Sequence, residues 1–291
     1  MPSKGIPYTQ AVYEAVRNAD GPMTFAEVAA AVMDMPVRPS PKPARAIRNA
    51  LRNSLLIAQG SDERYASVLW LLKGATFRHA LTGRELADGS LRLGPDVGFA
   101  LFPFVYAPRR MHARPCHLYL EQGPLFSQTL ERLDGAAVGI HPCDALADWF
   151  ASLQCRAGDS LLFEVTDGEE GIYHVFLQRP VPQDEERLAR RNLELAKALE
   201  QALARKRAPC PLYKLMPSLV AQGAYHDPYP PHPIERVAQR ASIFEIVDGK
   251  VRMIGRAASE MQYLPGLSPG TQEDARPAKR GLLERLFARK P

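Results

Sequence analysis

Near residue 73 the hydrophobic pattern of this chain changes its period. Before that point apolar residues recur every three or four positions, the spacing of helices. After it they come in short runs broken by Gly, Pro and Asp, the texture of strands. A single helical bundle or a single sandwich does not accommodate such a switch. The expected class is α+β, with helical and β-rich parts kept apart.

In the helical part, residues 8–18 place Val12, Ala15 and Val16 on one face, and Ala19-Asp20-Gly21-Pro22 closes that helix. Thr24 stands three residues before Glu27, a capping box opening a second helix that stops at Pro36. The Pro- and Ser-rich loop PVRPSPKP leads to a third, ARAIRNALRNSLL. Its Ala44, Ile47, Leu51 and Leu55 are expected to face a core, while Arg45, Arg48, Asn49 and Arg52 share another face with no acid among them. Two apolar runs then flank Gly60-Ser61-Asp62, a hairpin signal. Three helices and a hairpin make the layout of a winged helix-turn-helix over residues 1–72.

Residues 73–181 read as a β-rich pseudobarrel. VGFALFPFVYA, CHLYLEQG, GAAVGI, DSLLFEVTDG and GIYHVFLQRP are taken as strands, DALADWFASL as a short helix, and Asp167-Gly168-Glu169-Glu170-Gly171 as a turn. Residues 182–208 are a charged helix whose thin stripe, Leu188, Leu195, Leu199 and Leu203, suits a connector. Residues 209–256 repeat the order of basic helix and hairpin, turning at Asp248-Gly249, and form a second winged-helix-like unit. A helix and hairpin packed onto the barrel is the alternative there. Within it Tyr225 to Pro233 form a rigid aromatic loop, read as a packing wedge rather than a stacking platform. Residues 257–291 lack periodicity until GLLERLFARK and are expected to be a disordered basic tail.

Charge limits what this layout implies. The net charge is +5, but Arg276, Lys279, Arg280, Arg285, Arg289 and Lys290 against Glu284 account for all of it. Residues 1–72 hold eight Lys and Arg against six acids, and residues 73–180 hold ten against thirteen. Nucleic-acid binding must therefore rest on a local patch and not on bulk electrostatics. No run of about 18 apolar residues predicts a membrane span. The first residues lack the apolar core of a signal peptide, and Cys116, Cys143, Cys155 and Cys210 are too scattered for a disulfide framework or a paired motif. A cytoplasmic protein with free thiols is expected.

The chemistry of an enzyme is harder to find. A metal-dependent nuclease needs clustered carboxylates and a Lys on adjoining strand residues, and the nearest match, Asp248-Gly249-Lys250, reads as a turn. His112, Cys116, His117, His141 and Cys143 follow no standard zinc spacing. No serine or cysteine stands in a nucleophile elbow. A non-catalytic protein without cofactor is expected.

On the third helix, guanidinium forks and an amide can bond phosphate oxygens or base edges in a major groove. Lys42 stands at that helix's entrance, and Arg64 lies in the wing beside Asp62 and Glu63. The stretch YTQAVYEAVRNADGPMTFAEVAAAVMDM, with RAIRNALRN and YASVLWLL, resembles the HARE-type helix-turn-helix family. That family occurs in restriction, chromatin-associated and RNA polymerase-associated proteins, so the resemblance implies a DNA-linked setting. The stretch from LFSQTLERLDG to VFLQRP is similar to the DNA-binding pseudobarrel of plant transcription factors and of one restriction-enzyme effector domain. Strands and loops of that family grip the major groove, which makes Arg109, Arg110, His112 and Arg114 candidates here. Asp144 and Asp148 on DALADWF keep open a barrel that serves as a spacer or a dimer interface. The expected function is double-stranded DNA binding, as a transcriptional regulator or DNA-processing accessory. The alternative is a protein–protein adaptor that uses both winged units and the amphipathic C-terminal segment to hold a protein partner.

Overall fold

The computed structural model describes residues 5–107, 113–123, 125–133, 137–204, 206 and 208–254. The C-terminal tail, with its amphipathic segment, lies outside them. Helix α1 (Tyr8–Arg17) buries Ala11, Val12, Ala15 and Val16. Helix α2 (Phe25–Met33) begins at Thr24, whose hydroxyl accepts from the Glu27 N–H while the Glu27 carboxylate accepts from the Thr24 N–H, so two orphan donors are satisfied. Helix α3 (Pro43–Asn53) starts with proline at its first position, where the missing N–H costs nothing. Strands β1 (Ile57–Gln59) and β2 (Tyr65–Ser67) form an antiparallel hairpin. Tyr65 also exchanges backbone hydrogen bonds with Met23, between α1 and α2, which ties the hairpin to the helices. The apolar run after β2 does not stay extended. It turns into the short helix α4 (Val68–Leu72), because Val68, Leu69 and Leu72 are buried together at helical spacing.

Beyond α4 come β3 (Thr76–Ala80), α5 (Gly83–Asp88), β4 (Leu91–Leu93), α6 (Pro95–Leu101), β5 (Ala113–Leu120), β6 (Leu125–Arg132), β7 (Val138–Ile140), α7 (Asp144–Ser152), β8 (Ser160–Asp167) and β9 (Ile172–Gln178). Among the described residues these strands form one seven-stranded, nearly closed, barrel-like sheet in the order β3-β8-β9-β5-β6-β7-β4. Its neighbours run antiparallel except β5 and β9, which pair parallel through His117 to Ile172 and Leu120 to Val175. VGFALFPFVYA departs from the expected strand. Pro95 opens α6, and a 3-10 turn, Pro103–Tyr106, completes the segment. Residues 96–101 are all buried, so the run carries no period, and a fully buried helix reads like a fully buried strand.

Helix α8 (Glu185–Ala204), expected as a connector, is part of the larger core. It buries Asn192, Leu195, Ala196, Leu199, Ala202 and Leu203 in the same core as the barrel. Against it pack α9 (Met216–Ala221), α10 (Ile234–Arg240) and β12 (Lys250–Met253), with β10 (Cys210–Pro211) and β11 (Phe244–Val247) paired to β12. Strands β11 and β12 make the expected hairpin, with Asp248 at φ 51° and Gly249 at φ 69°. Two buried cores result. A smaller one joins α1, α2 and α3 through Val12, Val16, Val28, Val32, Ile47 and Leu51. A larger one runs without interruption from the barrel into α8, α9 and α10. The C-terminal helices and hairpin are thus a covering of the barrel rather than a unit with its own core.

Candidate nucleic-acid interface

Helix α3 has two unlike sides because its sequence does. Ile47, Ala50 and Leu51 are buried and hold it against α1. Ala44 and Leu55, expected in that core, are not: Ala44 is exposed on the first turn and Leu55 lies beyond the last helical residue. The opposite side carries Arg45, Arg48, Asn49 and Arg52, all exposed, with exposed Lys42 at the N-cap. Among the described residues none of these five side chains has a hydrogen bond or ion pair. Arg48 is the one partly engaged, its guanidinium 4.8 Å from the centre of the Phe25 ring. The face therefore presents four cations and an amide whose donors are still free for a ligand.

The hairpin residue is less free. Arg64 is exposed, but one Nη donates to the Pro22 carbonyl at 3.1 Å and its Nε lies 3.8 Å from the Asp62 carboxylate. The barrel candidates divide. Arg109, Arg110 and His112 lie outside the described residues. Arg114 points inward and is 5% exposed. Its guanidinium donates to the carbonyls of Leu101, Gly168 and Glu169 and lies 6.0 Å from the Phe104 ring. That corrects its assignment as a contact: alternation along β5 turns position 114 to the core side, and its charge fastens the β8–β9 turn from within. At the end of this turn Gly171 has φ 74°, and a Cβ there would come within 2.7 Å of the Pro115 carbonyl oxygen.

The junction between barrel and C-terminal covering holds polar residues that sequence reasoning did not single out. Arg78, on β3, is 4% exposed and donates through Nε and Nη2 to the Pro230 carbonyl at 3.2 Å. Asn192, fully buried on α8, accepts from the His232 N–H at 2.8 Å and faces His232 Nδ1 at 2.9 Å. Burial, with the charges of Arg236, Arg78 and Arg240, pushes the His232 pKa down to about 3. The buried carboxylate of Asp96 accepts from the Ile234 N–H at 2.8 Å and so pins the start of α10 to α6. Burial raises the Asp96 pKa, against the pull of those backbone donors. Tyr225 stacks on Phe77 at 4.3 Å, so the aromatic loop packs. No signal in the sequence marks Arg78, Asn192 or Asp96, since each lies 40 or more residues from the partner it meets only in the fold.

No family model matches this chain, and no curated protein matches it. Part of it is similar to two solved structures. One is a hypothetical Arabidopsis thaliana protein, 15% identical over 35% of this chain and 87% of the other, with a TM-score of 0.26. The second is Arabidopsis FUS3 in complex with DNA, 10% identical over 36% of this chain and 97% of that one, with a TM-score of 0.28. Likenesses this loose leave the function to be argued from the residues. Among the described residues no group of His, Cys, Asp and Glu is placed to hold a metal ion, and no helix is long and apolar enough to cross a membrane.

Proposed function

We propose that the chain binds double-stranded DNA, with α3 as the recognition helix of a winged helix-turn-helix and the β1–β2 hairpin as its wing. The observation that carries this reading is the exposed face of Arg45, Arg48, Asn49 and Arg52, without a hydrogen bond or ion pair among the described residues, on a helix anchored by its other side. Two features support it. Lys42 adds a cation at the helix entrance, and Tyr65 pairs with Met23, which fixes the hairpin beside the helices. Phosphate contacts from such a face supply sequence-independent affinity, and the Asn49 amide and the Arg forks can address base edges. The role is that of a regulator or DNA-processing accessory rather than a nuclease.

The test compares wild type with Arg45→Ala/Arg52→Ala by fluorescence anisotropy on a 20-base-pair random duplex. These two positions are chosen because neither side chain packs on an aromatic ring. We expect affinity to fall about tenfold or more, since hydrogen bonds to charged groups are each worth about 1.5–3 kcal/mol. The melting temperature should stay within a degree or so of wild type. Unchanged affinity would remove α3 from the interface.

A further inference from the structure

We propose that a cleft beside the barrel, between the β5–β6 turn, the end of α7 and the passage from β9 into α8, binds a short zwitterionic peptide with apolar side chains. The cleft measures about 570 Å³, within the roughly 300–1,000 Å³ of small-ligand sites. Its wall carries one cation, Arg179, and two acids, Glu121 and Asp184. Among the described residues no ion pair within 4.0 Å joins Arg179 to either acid, so opposite charges line one cleft unpaired. The Tyr229 hydroxyl engages Asp184. Arg179 donates through one Nη to the Leu153 carbonyl at 2.9 Å, and Glu121 Oε2 accepts from the Leu177 N–H at 3.0 Å. Among the described residues nothing else bonds either side chain, which leaves the other guanidinium donors and Glu121 Oε1 for a ligand.

A carboxylate suits the Arg179 fork and an ammonium suits Glu121, so the complement is a molecule that carries both. The surplus acid disfavours a phosphate. Leu153, Leu177 and Val181 share the wall, and Val181 is 43% exposed, apolar surface that a ligand's side chains would cover. Carboxamides complete the lining. Gln122 and Gln154 stand at φ 53° and 52°, so two of the four described non-glycine residues with positive φ line this one cleft. Glycine would hold either position with less strain, and strained backbone gathers at binding sites. Gln178 keeps its Oε1 buried without a hydrogen-bond partner, and the broad rotation of a glutamine's terminal torsion can turn that acceptor to a ligand N–H. A peptide amide presents the N–H and C=O that carboxamides pair with. None of these residues belongs to the α3 core, so the cleft and the DNA-binding reading stand or fall separately.

The experiment titrates L-leucyl-L-leucine into the full chain by calorimetry, for wild type, Arg179→Gln and Glu121→Gln. Position 179 is exposed, and glutamine at 121 keeps an acceptor for the Leu177 N–H, so folding is not at stake. The N-acetylated and C-amidated dipeptides, each lacking one charge, are titrated alongside. We expect saturable binding of the zwitterion to wild type, with each capped form weaker by about tenfold or more. Arg179→Gln should weaken the zwitterion and the acetylated form but not the amidated one, which has no carboxylate to lose. Glu121→Gln should do the reverse, sparing the acetylated form. Wild type without saturable binding would overturn the proposal. So would variants that bind the zwitterion as tightly as wild type, or that weaken all three forms alike.

Discussion

At the scale of single residues, the same side-chain type does opposite things according to where the backbone sends it. Arg45 and Arg52 stand in solvent, Arg114 and Arg78 are buried on carbonyls, and only the first pair is available to a ligand. Sequence spacing distinguished the α3 arginines because a helix repeats its faces within one segment. It could not place Arg114, since strand alternation tells which residues share a face and not which face is inside. His232 offers a test of its own. Its folded pKa of about 3 lies below the ordinary 6.5, so between those values the unfolded chain holds more protons. The stability it contributes is complete above pH 6.5 and is lost as pH falls toward 3, by at most about 1.4 kcal/mol per unit. Denaturant unfolding of wild type and His232→Gln at pH 7 and pH 5 should show the wild type losing more. Equal losses would mean that the Asn192 hydrogen bonds do not hold the neutral ring.

At the scale of elements, what was legible had a local cause. The capping box of Thr24 and Glu27, the Asp248-Gly249 turn and the periodicity of α1 each lie within one segment, and each appears where it was expected. Helix α6 was misread because burial on every side erases its period. Helix α8 was misread for the opposite reason. Its thin apolar stripe suggested a connector, but small residues, Ala196 and Ala202, widen the stripe of Leu195, Leu199 and Leu203 enough to bury one side against α9, α10 and β12. Leu199 has no exposed surface, so Leu199→Ala should cost about 2–5 kcal/mol in unfolding free energy. A loss below about 0.5 kcal/mol would return α8 to the role of connector.

At the scale of the whole molecule, two cores meet where β1 and α4 pack on α9. The α3 unit continues into the barrel through α4, and Arg17 on α1 grips the β8–β9 turn through both oxygens of Glu169, at 3.0 and 2.7 Å. Arg114 holds the same turn from inside. The pair Arg17–Glu169 is about half exposed, so it orients more than it stabilises: a double-mutant cycle should give a coupling below about 1 kcal/mol. A coupling well above that would make the pair a principal fastening between the two cores. None of this seam was legible in the sequence, since Arg17 and Glu169 are 152 residues apart.

The most direct test of DNA binding through α3 is the salt dependence of duplex affinity, measured for wild type and for Arg45→Ala/Arg52→Ala from about 50 to 200 mM salt. Each phosphate contact contributes about 0.9 to the slope of log affinity against log salt. The α3 interface predicts a steep slope for wild type and one shallower by about 2 for the double variant. Superimposable slopes, or a duplex affinity that ignores salt, would contradict it.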